Sequence, residues 1–165
     1  MNRKTKIVLT IGAIAGGIAI AFATPVVNLT SPLLSTATSA SPLSSHGVIQ
    51  IGTSGDYFNA RFSTDGPSTV SVQDGAYGPG GQNGWHAHPG IVILTLVTGS
   101  IEWFDANCNH KIYNAGDAWT EGSQIHAFRV LGTTPAHFIS TFIVSKGAAL
   151  RIDEPAPACG SELGL

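Results

Sequence analysis

His86 and His88 stand one residue apart in Gly84-Trp85-His86-Ala87-His88-Pro89-Gly90, just ahead of the apolar run Ile91 to Val97. Side chains at i and i+2 of an extended segment lie on one face. The pair therefore aims two imidazoles at one point if the segment is a strand. Imidazole is a ligand that iron, copper, nickel and zinc all accept. A third histidine, His126, falls on a later strand-like stretch. Three protein ligands leave a coordination position open for water or substrate, which a catalytic metal needs. The other reading of a strand histidine pair is polar lining at the mouth of a barrel, satisfied by water. The residues alone leave both readings open.

Such side chains need strands to carry them. From Val48 onward short β-prone runs follow one another: Val48 to Ile51, Tyr57 to Phe62, Thr69 to Val72, Ile91 to Val97 and Ile101 to Phe104. Lys111 to Tyr113, Ala118 to Thr120, His126 to Leu131 and His137 to Ser145 complete the series. Gly, Pro, Asp, Asn and Ser punctuate them, and Thr98-Gly99-Ser100 reads as a tight turn. No stretch after residue 47 has a capped 3.6-residue period. Many short strands with glycine-rich turns predict an all-β sandwich or barrel.

The remaining sequence divides into appendages. Arg3, Lys4 and Lys6 precede the uncharged, largely apolar run Ile7 to Ala23, and Ala21-Phe22-Ala23 has the small-x-small form of a signal-peptidase site. Residues 1–23 thus read as a secretory signal, with an uncleaved membrane anchor as the alternative. Either one exports the domain, to the medium or to the outer face of the cytoplasmic membrane. Residues 24–46, rich in Ser, Thr and Pro, read as a linker, and residues 47–165 as the barrel with its tail. Without Arg3, Lys4 and Lys6, five Lys/Arg remain against ten Asp/Glu, a net charge of −5 with neutral histidine. That balance argues against nucleic acid as a partner, and leaves a membrane as one only if the N-terminal segment is retained.

Two cysteines, Cys108 and Cys159, occur in the chain. In an exported protein an even count favours a disulfide, here one that would staple the tail to the loop around Asn107 and Asn109. A Cys108/His110 metal or redox pair is the alternative. No Ser-His-Asp order, phosphate loop or Cys-x-x-Cys stands out.

The residues from Gly80 to Gly99, with His86-Ala87-His88 inside them, resemble the first motif of the cupin superfamily. Asn114-Ala115-Gly116-Asp117-Ala118-Trp119 through His126 resembles the second. The Gly-Trp-His-x-His-Pro-Gly form and the tail Leu150 to Pro157 look like a group of small exported bacterial cupins. The resemblance implies a single jelly-roll β-barrel with His86, His88 and His126 as ligands to a divalent transition metal: iron, copper, nickel or zinc. It also implies a small-molecule ligand, with pairing into a homodimer through edge strands, and, if the protein is an enzyme, a metal-dependent oxygenase or isomerase. A metal-free or non-catalytic binding module is the alternative. This chain departs from the pattern where Val92 occupies the position of the motif's glutamate ligand. Val92 shares the inward face of His86 and His88, so three neutral imidazoles would leave the ion's charge uncancelled and disfavour manganese. Trp85, Val92, Trp119, Phe128 and His137 are candidates for pocket lining, although the aromatic ones read first as core and His137 first as a half-buried strand histidine. Glu121, ahead of the second motif's turn, reads as solvated rim, able at most to act as an acid or base.

Overall fold

The computed structural model of the protein describes residues 25–51 and 55–165. The expected signal or anchor over residues 1–23 lies outside the described residues. The described chain is almost wholly β and forms one 11-stranded antiparallel sheet bent into a barrel, the jelly-roll that the motifs imply.

One wall is the ladder of β8 (Ala118–Glu121), β5 (Ile91–Thr98), β10 (Ala136–Ser145) and β3 (Asp56–Gln82). The other is β7 (His110–Asn114), β6 (Ser100–Asp105) and β9 (His126–Leu131). It is extended by the two-residue strands β4 (His86–Ala87) and β11 (Ile152–Asp153). The pairing of Gln82 with Arg129 joins the walls. Period-2 burial along β10 and β5 turns Leu94, Leu96, Phe138 and Phe142 inward. There they meet Ile101, Phe128 and Val130 of the opposite wall. Phe128 and Phe138 touch edge to face across the core with ring centroids 5.6 Å apart, the geometry that the aromatic quadrupole favours. Gly99 makes the turn between β5 and β6 possible. Its φ is +77°, and a Cβ there would lie 2.6 Å from the Pro135 carbonyl.

The Ser/Thr/Pro-rich stretch expected as a linker is paired instead. β1 (Val27–Thr30) and β2 (Leu33–Ile51) both run antiparallel to β3. Thr36 hydrogen-bonds Ser71, and Thr38 hydrogen-bonds Thr69, across that ladder. Ser and Thr satisfy a strand pair from the side chain as readily as from the backbone, a signal that composition does not show. Beyond about residue 44 the β2–β3 ribbon leaves the barrel, and Val48, Tyr57 and Phe58 on it are exposed.

The tail after β10 is equally ordered. β11 pairs with β4, placing Ile152 opposite Ala87 and Asp153 opposite His86. Cys108 and Cys159 form the expected disulfide. It holds the tail's end, with α1 (Gly160–Leu163), on the β6–β7 loop. A second small core of Trp85, Phe104, Ala127 and Leu165 forms under it. Gly160 is required there, because a Cβ would meet the Trp85 indole at 2.8 Å.

Candidate metal centre

His86 and His88 sit at and just beyond the short strand β4, and His126 opens β9 directly across from His86. The backbone N–H of His88 donates to the Gly122 carbonyl at 2.9 Å, which fixes the β8–β9 turn against the histidine strand. All three rings are buried and within 4.3 to 5.2 Å of one another, centroid to centroid. The three sequence-expected ligands thus converge.

Val92 points inward with 0% exposure, as its strand parity requires. The expectation of a site without a carboxylate is nevertheless corrected. Glu121 pairs with Val92 in the β5–β8 ladder. Cross-strand partners put their side chains on the same face of the sheet, so Glu121 enters the site beside Val92. It is buried at 8% exposure, not solvated at the rim. One ligand atom from each of His86, His88, Glu121 and His126 lies within 4.8 Å of all the others. The signal was present in the sequence. Glu121 alternates in phase with Trp119, which belongs to the apolar face of β8.

Each side chain is aimed by what holds its far atom. Nδ1 of His86 donates to the Gly84 carbonyl at 2.8 Å, that of His88 to Leu150 at 2.7 Å and that of His126 to Gln124 at 2.7 Å. A carbonyl can only accept, so Nδ1 carries the hydrogen in all three rings and Nε2 is left to bind an ion. Glu121 Oε1 accepts from the indoles of Trp103 and Trp119, both at 3.0 Å. Its Oε2 faces His88 Nε2 at 3.3 Å and His126 Nε2 at 3.1 Å. Those two nitrogens are buried and make no well-formed hydrogen bond. Buried polar atoms left in that state are costly. Two ring nitrogens turned on one carboxylate oxygen need a cation between them.

The electrostatics agree. Burial pushes the His86 imidazole down to about 2, and the neighbouring His126 adds to that, so His86 is a neutral ligand. Burial alone would raise the Glu121 carboxyl. The His126 and His88 rings that face it, together with the Trp119 indole, outweigh burial and hold the group below the usual carboxylate range. Burial would likewise lower His126, but the Glu121 carboxylate raises it. A proton or a metal ion meets the same need at that point. A dication here would keep one net positive charge, and the hard oxygen brings manganese back among the ions that fit.

A cavity of about 270 Å³ adjoins the site, with His86, His88 and Glu121 in its wall. Val92 and Phe128 line it as expected, together with Phe138 and Phe142. The other three residues expected to line a pocket do not line this one. Trp85 lies in the small core beneath the tail. Trp119 packs on Tyr113 and reaches the site only through its bond to Glu121. His137 falls on the opposite parity of β10 from Phe138 and pairs with Asp74. Cys108 is disulfide-bonded, and His110 pairs with Glu102.

No protein-family model matches the chain, and no curated protein matches it. Several solved structures are similar at low identity. A cupin-like protein from Thermotoga maritima is 21% identical, over 53% of this chain and 65% of its own, with a TM-score of 0.44. An uncharacterised protein with a double-stranded β-helix domain from Klebsiella pneumoniae is 22% identical, over 67% and 84%, with a TM-score of 0.44. Oxalate oxidase bound to the substrate analogue glycolate is 20% identical, over 48% and 44%, with a TM-score of 0.43. The chain therefore spans less than two thirds of the first and less than half of the third. The ligand set is read from this chain's own residues.

Proposed function

We propose that this protein is an exported cupin-type barrel. It holds a divalent transition metal through His86, His88, Glu121 and His126, and presents it to a small organic molecule in the adjoining cavity. One observation carries the reading: two buried imidazole nitrogens without hydrogen bonds face a buried carboxylate oxygen. A bound metal of this class supplies Lewis acidity, and with iron, copper or manganese also one-electron chemistry toward dioxygen. The chain's own contribution is to orient. Backbone carbonyls fix the three imidazoles, and Trp103 and Trp119 fix the carboxylate. The Phe128, Phe138 and Phe142 walls exclude water from whatever occupies the cavity.

An oxygenase acting through iron or copper is the leading activity, and an isomerase or hydrolytic reaction through zinc is the second. The non-catalytic alternative has one observation in its favour. Among the described residues, Glu121 is the only carboxylate in the cavity wall, and it is committed to the ligand set. Export is part of this reading. It is supported by the disulfide and by the signal-like residues 1–23. No helix of the described residues is long and apolar enough to cross a membrane.

Metal content decides it. The oxidised protein, purified without affinity-column metals, is expected to carry near-stoichiometric transition metal that a His86→Ala/His88→Ala variant lacks. No metal in either after reconstitution overturns the reading.

A further inference from the structure

Arg151 lies in the wall of the cavity that holds His86, His88 and Glu121. Its Nε donates to Asp153 Oδ1 at 2.5 Å, while its Nη2 is buried and has no hydrogen-bond partner. Guanidinium groups remain charged in proteins, and a buried N–H of a charged group left unmade is expensive. Beside Val92, Leu94 and the three phenylalanines, the wall carries Ser31, Gln73, Asn83 and Ser140, none of which hydrogen-bonds Nη2. Nothing there accepts that proton. Arg151 is also held in place by the site itself. The carbonyl of its neighbour Leu150 receives the His88 Nδ1 hydrogen, and Asp153 lies in register with His86. The segment that sets one ligand's tautomer thus delivers a cationic donor into the ligand cavity.

We propose that the cavity's ligand is a small organic carboxylate, with its anionic end on Arg151 Nη2 and its reactive end toward the four-residue ligand set. This rests on the metal-site reading above and names the substrate class for it. A single free guanidinium nitrogen suits a monoanionic carboxylate. A phosphate would bring more negative charge than one free guanidinium nitrogen offsets in a partly apolar cavity. Tyr77 lines the same cavity, and burial pushes its phenol up, so it stays protonated and able to donate.

The test is calorimetric binding of propionate and benzoate, against their neutral amides and inorganic phosphate, to the full disulfide-bonded chain with metal content measured in parallel. Wild type is expected to prefer each carboxylate over its amide by at least about tenfold and to bind phosphate no better than the amide. Arg151→Gln should lose that preference with its metal content unchanged, and Arg151→Lys should keep part of it. Asp153→Asn removes the same tail salt bridge but leaves the guanidinium, and should retain carboxylate binding. The proposal is overturned if wild type binds no carboxylate or does not prefer it over the amide. Phosphate binding as tightly as carboxylate also overturns it, as does Arg151→Gln keeping the preference. Equal losses in Arg151→Gln and Asp153→Asn would make the residue a tail support only and overturn it too. An Arg151-dependent preference in a protein that never takes up metal would sustain this inference and defeat the metal reading. Stoichiometric metal without the preference would do the reverse.

Discussion

The two sides of the site hold their ligands by different means. Glu121 comes from β8, a strand whose four residues all pair with β5 inside a continuous wall. His86 comes from a two-residue strand, which His88 directly follows, with one paired position on β9 and two on β11. The carboxylate is thus carried by the barrel, and the histidine pair by the tail. Leu150 accepts from His88, Glu154 N–H donates to the Trp85 carbonyl, and the disulfide closes the arrangement. A segment that looks like a C-terminal extension is therefore structural support for two metal ligands.

The largest effect should come from the barrel side. Glu121→Ala removes the hard ligand that faces both imidazole nitrogens and leaves two indole N–H groups without their acceptor. Metal content should fall to background, and the metal-free protein should lose about 3–5 kcal/mol in urea unfolding. Adding Val92→Glu to Glu121→Val sharpens the comparison, because the two positions face each other across the ladder. The double variant should regain metal but stay about 1–3 kcal/mol below wild type, since Trp103 and Trp119 still lack an acceptor. Metal retained by Glu121→Ala alone would mean that the three histidines suffice.

The tail side should respond next. Replacing Cys108 and Cys159 by Ser opens a loop of 51 residues in sequence separation, worth about 4 kcal/mol in the chain-entropy model. If the tail supports the histidines, metal affinity should fall as well, by about 10- to 100-fold, because Leu150 no longer fixes His88. Competition against a chelator of known affinity separates the two effects. A destabilised protein with unchanged metal affinity would show that the tail serves folding alone.

This contrast also explains what could be read from the sequence. β5, β6, β9 and β10 were legible within a residue or two, because their apolar alternation matches one buried face. His86, His88 and His126 followed from spacing and parity. Glu121 was missed because a carboxylate defaults to solvent. Parity with Trp119 puts it on the apolar face of β8, but that this face meets Val92 and the histidines is a register that a single sequence does not contain. Residues 27–46 were missed for the opposite reason. Their Ser and Thr side chains pair with β3 without an apolar face to announce it. His137 is the half-buried strand histidine of its first reading, on the face of β10 opposite Phe138, and not the pocket residue of its second.

The smallest effect concerns the clamp that holds the tail's last turn. Glu102 accepts from Arg129 Nε at 2.9 Å and Nη2 at 2.7 Å, and from His110 at 2.5 Å, while Arg129 Nη1 reaches the Leu163 carbonyl at 3.3 Å. The His110 hydrogen bond, then Arg129, outweighs burial and holds the Glu102 carboxyl below its ordinary 4.5. His110 and Arg129 are partly exposed, so solvent screens the cluster, and Glu102→Gln should cost only about 1 kcal/mol at neutral pH. The sign of its pH dependence follows from the depressed value. In the folded state the carboxylate binds its proton less readily than in the unfolded chain, so its contribution is complete above about 4.5 and declines as pH falls through the folded value. The stability gap between wild type and Glu102→Gln should stay constant from pH 7 to about 5 and close on further acidification. Metal affinity should drop by less than in the cysteine variant, because the tail keeps its covalent anchor. A gap that widens in acid would mean that Glu102 is neutral in the fold and that Arg129 is held by something else.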